Sequence, residues 1–248
     1  EKIRDYYNKA KKEVELINFS DEKRQKLLSE IKEFRNKYME IAIIISKKRR
    51  EGALTLSNKV KEELSQLGMD KVDFKVKIDI EESDTNFILF NNKKLKIRDN
   101  GVDDVEFLIS PNLGEPLKPL LKIASGGELS RIILSLKTVL AQNDIVETMI
   151  FDEIDVGIGG KVALSVAKTL KRLSNSKQII CITHLPQIAA GGFKNFMIHK
   201  SIISDRTVTN LTPLNEEQKI NEIARMLSGH ITEISLQHAK ELIETCNE

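Results

Sequence analysis

Residues 1–67 contain no proline and set sparse apolar residues among charged ones at helical spacing. Ile3, Tyr7, Ala10, Val14 and Ile17 fall 4-3-4-3 apart, the spacing of a heptad seam. The stretch NFSDEKR at 18–24 interrupts this seam, with Ser20 as an N-cap and Asp21 and Glu22 in the first turn, where negative charge suits the helix dipole. Leu27, Ile31, Phe34, Tyr38, Ile41 and Ile45 then resume it. A third series (Ala53, Leu56, Val60, Leu64, Leu67) runs to Gly68, a natural C-terminal stop. A helix over 20–67 would be roughly 70 Å long at about 1.5 Å per residue. A compact domain of this size cannot enclose it, so 1–67 reads as a projecting coiled-coil arm in preference to short helices folded back on the core.

From 72 onward the period changes. VDFKVKIDI (72–80) alternates apolar and polar residues, NFILF and KLKI flank an Asn91-Asn92 turn, and DVEFLIS (104–110) follows. This predicts a small antiparallel sheet. Pro111, Gly114, Pro116 and Pro119 make a stiff loop. Beyond it the pattern predicts helix (129–141), strand (146–151), helix (161–173) and strand (178–183), an alternation that implies parallel strands with crossover helices. A strand pair around 195–213 and two amphipathic helices, 216–228 and 232–245, complete the reading.

Composition narrows the function classes. The net charge is only +2, so any nucleic-acid surface must be a local patch; KKRR at 47–50 is the candidate. Cys181 and Cys246 follow neither metal-ligand nor redox spacing and read as reduced thiols. No apolar run approaches the roughly 20 residues of a membrane span. The chain opens at Glu1 within a charged helical pattern and reads as a piece of a longer protein.

DVGIGGKV at 155–162 nearly spells a phosphate-binding loop but fails as one. Asp155 stands where the first Gly belongs, and Val162 replaces the hydroxyl that would meet Mg²⁺. Three other features carry chemistry. ASGGELSR (124–131) sets Gly126 and Gly127 before a helix, whose free N–H groups and dipole suit a phosphate; Ser125 is equally suited to cap that helix. TMIFDEID (148–155) delivers Asp152 and Glu153 to the carboxyl end of a strand, where parallel sheets bind ligands. Asp152 could orient Mg²⁺, and Glu153 could take a proton from water. IICITHLPQIAA (179–190) brings Thr183 and His184 to the same edge.

The order of these features resembles the second half of an ABC-type ATPase head, with SGGE as the signature, MIFDE as the Walker B strand, IDVGIGG as the D-loop and ITH as the switch. No G-x-x-x-x-G-K-[ST] occurs in the 248 residues. A head interrupted by a coiled coil, as in SMC-like proteins, accounts for this, since the other half would carry Walker A. VEFLISPNLGEPLKPLLKIASGGELSRIILSLKTVLA, FDEIDVGIGGKVA, CITHLPQIAA and EIARMLSG resemble the RecN family of bacterial SMC-like DNA repair ATPases.

That resemblance implies an α/β fold: the C-terminal lobe of an ABC/SMC-type P-loop NTPase head over 68–248, preceded by the helical arm of 1–67. It implies ATP and Mg²⁺ as cofactors and an ATPase in the complete head, the 248 residues alone being inactive. Ser125, Gly126, Gly127 and Glu128 would bind the γ-phosphate of a nucleotide held by a partner head. Asp152 would serve the metal, Glu153 would activate water, His184 would sense the γ-phosphate, and Asp155 would couple the two sites. The implied partners are DNA, bound without sequence preference, the N-terminal Walker A half and a second head; the implied location is the cytoplasm, with the nucleoid. A non-catalytic clamp module, whose signature only docks a partner, is the alternative.

Overall fold

The computed structural model describes residues 2–112, 114–122, 125–203 and 206–247. They form two compact units, Glu1–Ala53 with Lys77–Glu106, and Leu54–Val76 with Phe107–Glu248.

One helix, α1 (Lys2–Gln66), replaces the segmented helices of the sequence reading. The break expected at 18–24 does not occur, and Ser20 lies inside the helix rather than capping it. Neither proline nor glycine stands there, and an interior serine costs only a few tenths of a kcal/mol against its helix-favouring neighbours, about the range of ordinary residues. Of the first seam, the side chains of Ile3, Ala10, Val14 and Ile17 lie outside the described residues, and Tyr7 is exposed. Leu27, Ile31, Phe34 and Ile41 of the second seam are also exposed.

In the first unit, Ala42 of α1 is buried with Leu95 and Val102. The Tyr38 hydroxyl donates to the Arg98 carbonyl at 3.0 Å. Arg49 pairs with the buried Asp103 carboxylate at 3.1 Å and donates to the Asn100 carbonyl at 2.8 Å. One cation of the KKRR patch is therefore committed to holding this unit together.

Strands β1 (Asp73–Ile80), β4 (Asp103–Ser110) and β5 (Lys118–Pro119) make a sheet in the order β1-β4-β5. Strands β2 (Phe87–Phe90) and β3 (Lys93–Lys96) form a separate hairpin instead of joining it. Asn91 and Asn92 both take positive φ, 48° and 63°, the backbone a two-residue hairpin turn needs and asparagine tolerates.

The second unit holds most of the core. The end of α1 is rooted there: Val60 and Leu64 are fully buried with Phe74, Ile109, Ile132 and Leu136. Gly68, at φ 73°, closes the helix with paired bonds, Met69 N–H to the Leu64 carbonyl (3.0 Å) and Gly68 N–H to the Ser65 carbonyl (3.1 Å).

Beyond lie α2 (Gly126–Leu140), β6 (Thr148–Phe151), α3 (Gly160–Ser174), β7 (Gln178–Cys181) and the short α4 (Pro186–Ala190). Strands β6 and β7 pair in parallel, Thr148 opposite Gln178 and Phe151 opposite Cys181, with α3 as the crossover. The predicted βαβ unit is present, and α2 starts three residues earlier than its apolar face indicated. Met149 and Phe151 face a core shared with α3, α4 and two closing helices, α5 (Glu216–Ser228) and α6 (Glu233–Asn247). The opposite face of the pair is bare: Ile150 is 67% exposed, Ile180 45% and Ile182 48%. Strands β8 (Phe196–Ile203) and β9 (Arg206–Pro213) complete the fold as an antiparallel ribbon.

Candidate functional site

Three loops of the second unit meet at the carboxyl ends of β6 and β7. The first begins α2. Ser125 has extended backbone (φ −95°, ψ 117°), and its hydroxyl accepts from the Glu128 N–H at 3.4 Å, a long capping bond. Gly127 is buried and Gly126 exposed, and both are close to the loop after β6. A Cβ on Gly126 would fall 2.5 Å from Glu153 Oε2; one on Gly127 would fall 2.8 Å from the Val156 carbonyl oxygen. The neighbour of Gly126 is the movable end of a side chain, whereas that of Gly127 is backbone, so Gly127 sets the distance between helix and loop.

The second loop follows β6. Asp152 and Glu153 are exposed, while Ile154 and Asp155 turn inward. Asp152 Oδ1 accepts from the Glu153 N–H at 2.9 Å, and the Asp152 carbonyl accepts from Ser130 Oγ at 3.1 Å. Glu153 has φ 58°, a left-handed conformation that costs a non-glycine residue about 1–3 kcal/mol. The surrounding bonds hold it there.

Arg131, which the sequence reading passed over, ties this loop to α2. Its guanidinium is buried and donates to the carbonyls of Ile154 (3.4 Å) and Val156 (3.0 Å). Its Nε has no partner among the described residues. Burial lowers the Arg131 pKa, and the charge of Glu128 opposes that shift. The one signal in the sequence was its place one turn beyond Glu128.

The third loop follows β7. Asp155 is 3% exposed, and its Oδ2 accepts two bonds, from Thr183 Oγ1 at 2.6 Å and the His184 N–H at 2.8 Å, with His184 Nδ1 2.9 Å away. The Thr183 hydroxyl accepts in turn from the Leu185 N–H at 3.0 Å. Burial acts to raise the Asp155 pKa, but the bonds from Thr183 and His184 prevail and hold it below the usual carboxylate value. The His184 side chain is 72% exposed.

Ser125, Gly126, Gly127, Glu128, Asp152, Glu153, Asp155 and His184 thus all lie on these three loops. Asp155 differs from the others because its carboxylate is used up within the chain. Among the described residues no group of three or more His, Cys, Asp or Glu could hold a metal ion. Mg²⁺ brought by a nucleotide needs only one or two protein carboxylates and takes its other ligands from phosphate and water. Asp152, exposed at the strand end, fits such a role.

No family model matches the chain. Several proteins described as DNA repair protein RecN do match it. That of Halalkalibacterium halodurans is 37% identical over 243 residues, covering 98% of this chain and 41% of the relative. The Bacillus subtilis protein is 36% identical over 251 residues, covering 100% and 44%. The Treponema pallidum protein is 39% identical over 242 residues, covering 97% and 41%. Among solved structures, an Smc head domain with a coiled coil and joint from Pyrococcus yayanosii overlaps 73% of this chain and 30% of that one, at 19% identity and a TM-score of 0.48. The chain is therefore RecN-like in sequence over nearly all of its residues, and it spans about two-fifths of the length of the RecN proteins it matches.

Proposed function

We propose that this chain is the C-terminal part of a RecN-like ATPase that acts in DNA double-strand-break repair and recombination. On this reading 68–248 is the signature, Walker B and switch lobe of an SMC-like head, and 1–67 is the returning arm of its coiled coil. The observation that carries the reading is the meeting of three loops: the Gly126-Gly127 helix start, the Asp152-Glu153 strand end and the His184 loop share one edge of a parallel strand pair. Phosphoryl transfer asks a protein mainly for positioned charge and dipoles.

In that chemistry Mg²⁺, when bound, neutralises charge on the phosphates, and Asp152 would hold it. The α2 N-terminus with Ser125 would receive the γ-phosphate of a nucleotide bound to the partner head. Glu153 would orient the attacking water and take its proton. His184 would face the same phosphate group.

Two bare surfaces support the remaining partners. Parallel sheets are normally covered on both faces, and the exposed face of Ile150, Ile180 and Ile182 suits the missing Walker A half. The exposed seam Leu27, Ile31, Phe34 and Ile41 suits the outgoing arm. DNA binding would be independent of sequence and weakened by salt. No described helix is long and apolar enough to cross a membrane. A role in repairing DNA would place the protein in the cytoplasm with the nucleoid.

The test is reconstitution. The 248 residues should not turn over ATP alone and should do so when folded with an N-terminal half carrying Walker A. A reconstituted head that closes on ATP without hydrolysing it would favour the clamp module.

A further inference from the structure

We propose that Ser130 and Arg131 are positioning residues that hold Glu153 in its left-handed backbone conformation, so that α2, and not the strand before the loop, sets where this carboxylate stands. Left-handed backbone comes readily to glycine, whereas Glu153 takes it at φ 58° with a Cβ in place. Such a conformation persists only where its surroundings over-determine it. The loop after β6 meets that condition at each carbonyl from 152 to 156. Asp152 accepts from Ser130 Oγ at 3.1 Å, Glu153 from the Val156 N–H at 3.2 Å and Ile154 from Arg131 at 3.4 Å. Asp155 accepts from the Ile158 N–H at 3.4 Å and Val156 from Arg131 at 3.0 Å.

The bonds from Val156 and Ile158 are turns within the loop and travel with it. Those from Ser130 and Arg131 come from successive residues of α2 and land on both sides of Glu153. Only these tie the loop to something outside it. Arg131 is 6% exposed, and its Nε has no partner among the described residues. An aliphatic side chain would fill the same space without the cost of burying a cation. What the guanidinium adds is its grip on two carbonyls with one nitrogen. Gly127 lets the helix come close enough for that grip, since a Cβ there would fall 3.2 Å from the Glu153 carbonyl oxygen.

On the ATPase reading, on which this consequence rests, the N-terminus of α2 and the base after β6 behave as one piece. Movement of α2 as it meets a phosphate would reach Glu153 through Ser130 and Arg131.

The experiment reads the Glu153 backbone by NMR in the 248-residue chain without nucleotide, from the Cβ chemical shift and the amide-to-α-proton coupling, both of which depend on φ. In a sample labelled only at glutamate, the signal lost in Glu153→Gln is the one of interest. The unaltered chain should give left-handed values. They should move toward negative φ in Arg131→Met and, to a smaller extent, in Ser130→Ala, and should stay in Ser130→Thr, which keeps the hydroxyl. Thermal midpoints give an independent check. Glu153→Gly removes the strain, so its effect should be more favourable by about 2–12 °C in the unaltered chain than in Arg131→Met, where the backbone has already relaxed. Glycine's greater freedom in the unfolded chain enters both comparisons and cancels. Negative-φ values in the unaltered chain, unchanged values in a folded Arg131→Met, or equal glycine effects in the two backgrounds would overturn the proposal. If Arg131→Met does not fold, Ser130→Ala against Ser130→Thr carries both measurements. Left-handed values lost on cutting these bonds, in a chain whose reconstituted head binds no ATP, would sink the functional reading and leave the positioning assignment standing.

Discussion

Gly127 and Val156 are so close that a Cβ on the glycine would come within 2.8 Å of the Val156 carbonyl oxygen and 3.0 Å of its Cβ. Neither atom can swing away, because one is backbone and Arg131 holds the same carbonyl at 3.0 Å. Gly127→Ala should therefore destabilise the folded chain by about 1–3 kcal/mol, as overpacking does. At roughly 2–4 °C per kcal/mol for a chain of this size, the thermal midpoint should drop visibly. Gly126→Ala meets only the end of the Glu153 side chain and should cost much less. Equal midpoints for the two variants would contradict this geometry.

Glu153→Gln keeps the side chain's size and removes the proposed base. In the reconstituted head it should still bind ATP and close the dimer, with turnover reduced by about 10²–10⁴-fold. Unaltered single-turnover rates would remove Glu153 from the chemistry.

Ser125 tests whether the site is shared between two heads. Ser125→Arg should leave ATP binding to one head nearly intact and block closure and hydrolysis. Mixing it with a variant lacking the Walker A lysine should give dimers with one doubly damaged site and one intact site, restoring activity that neither parent shows. Continued inactivity in mixed dimers known to form would count against the shared arrangement.

Asp155 carries an acid dependence whose sign is fixed by its depressed pKa. Burial alone would raise it, but the bonds from Thr183 and His184 outweigh burial. A carboxyl depressed in the folded state stabilises the fold above its unfolded value, about 3.9, and that contribution is lost as pH falls through the folded value. Urea midpoints taken from about pH 5 downward should fall less steeply in Asp155→Asn than in the unaltered chain. Parallel curves would show that the folded carboxyl titrates like an unfolded one.

Cys181 should be slow to react. Burial, with smaller contributions from the charges of Asp155 and Asp152, pushes its thiol up to about 12, so little thiolate exists near neutral pH. Burial raises Cys246 as well. Alkylation of both should track global unfolding, and rapid labelling of Cys181 in the native chain would contradict its setting.

The sequence revealed the parts of this fold whose signals are local. Alternation located β1 and β4, the Asn91-Asn92 pair located a hairpin, and Gly68 ended the long helix where its carbonyls needed partners. The unbroken passage of α1 through Ser20 was not legible, because a capping residue is also an acceptable helix residue and only the surrounding helix chooses between them. The separation of β2 and β3 from the other sheet depends on pairing across distant residues, which periodicity does not encode. At the site, residue types at strand ends pointed to Asp152, Glu153 and His184. Arg131 was missed because its partners are backbone carbonyls of another loop, and Thr183, though placed at the right edge, gave no sign that its hydroxyl would hold a carboxylate from the loop before it.

The left-handed backbone at Glu153 has a consequence for how this chain can vary. Glycine would occupy φ 58° without penalty, so relief of strain would reward replacing the carboxylate. A laboratory screen that rewards only thermal endurance should thus drift toward glycine or asparagine at 153. A screen that also rewards survival of broken chromosomes should keep the acid. Position 153 is where those two pressures would part company, and comparing the two screens would show which one has shaped the loop.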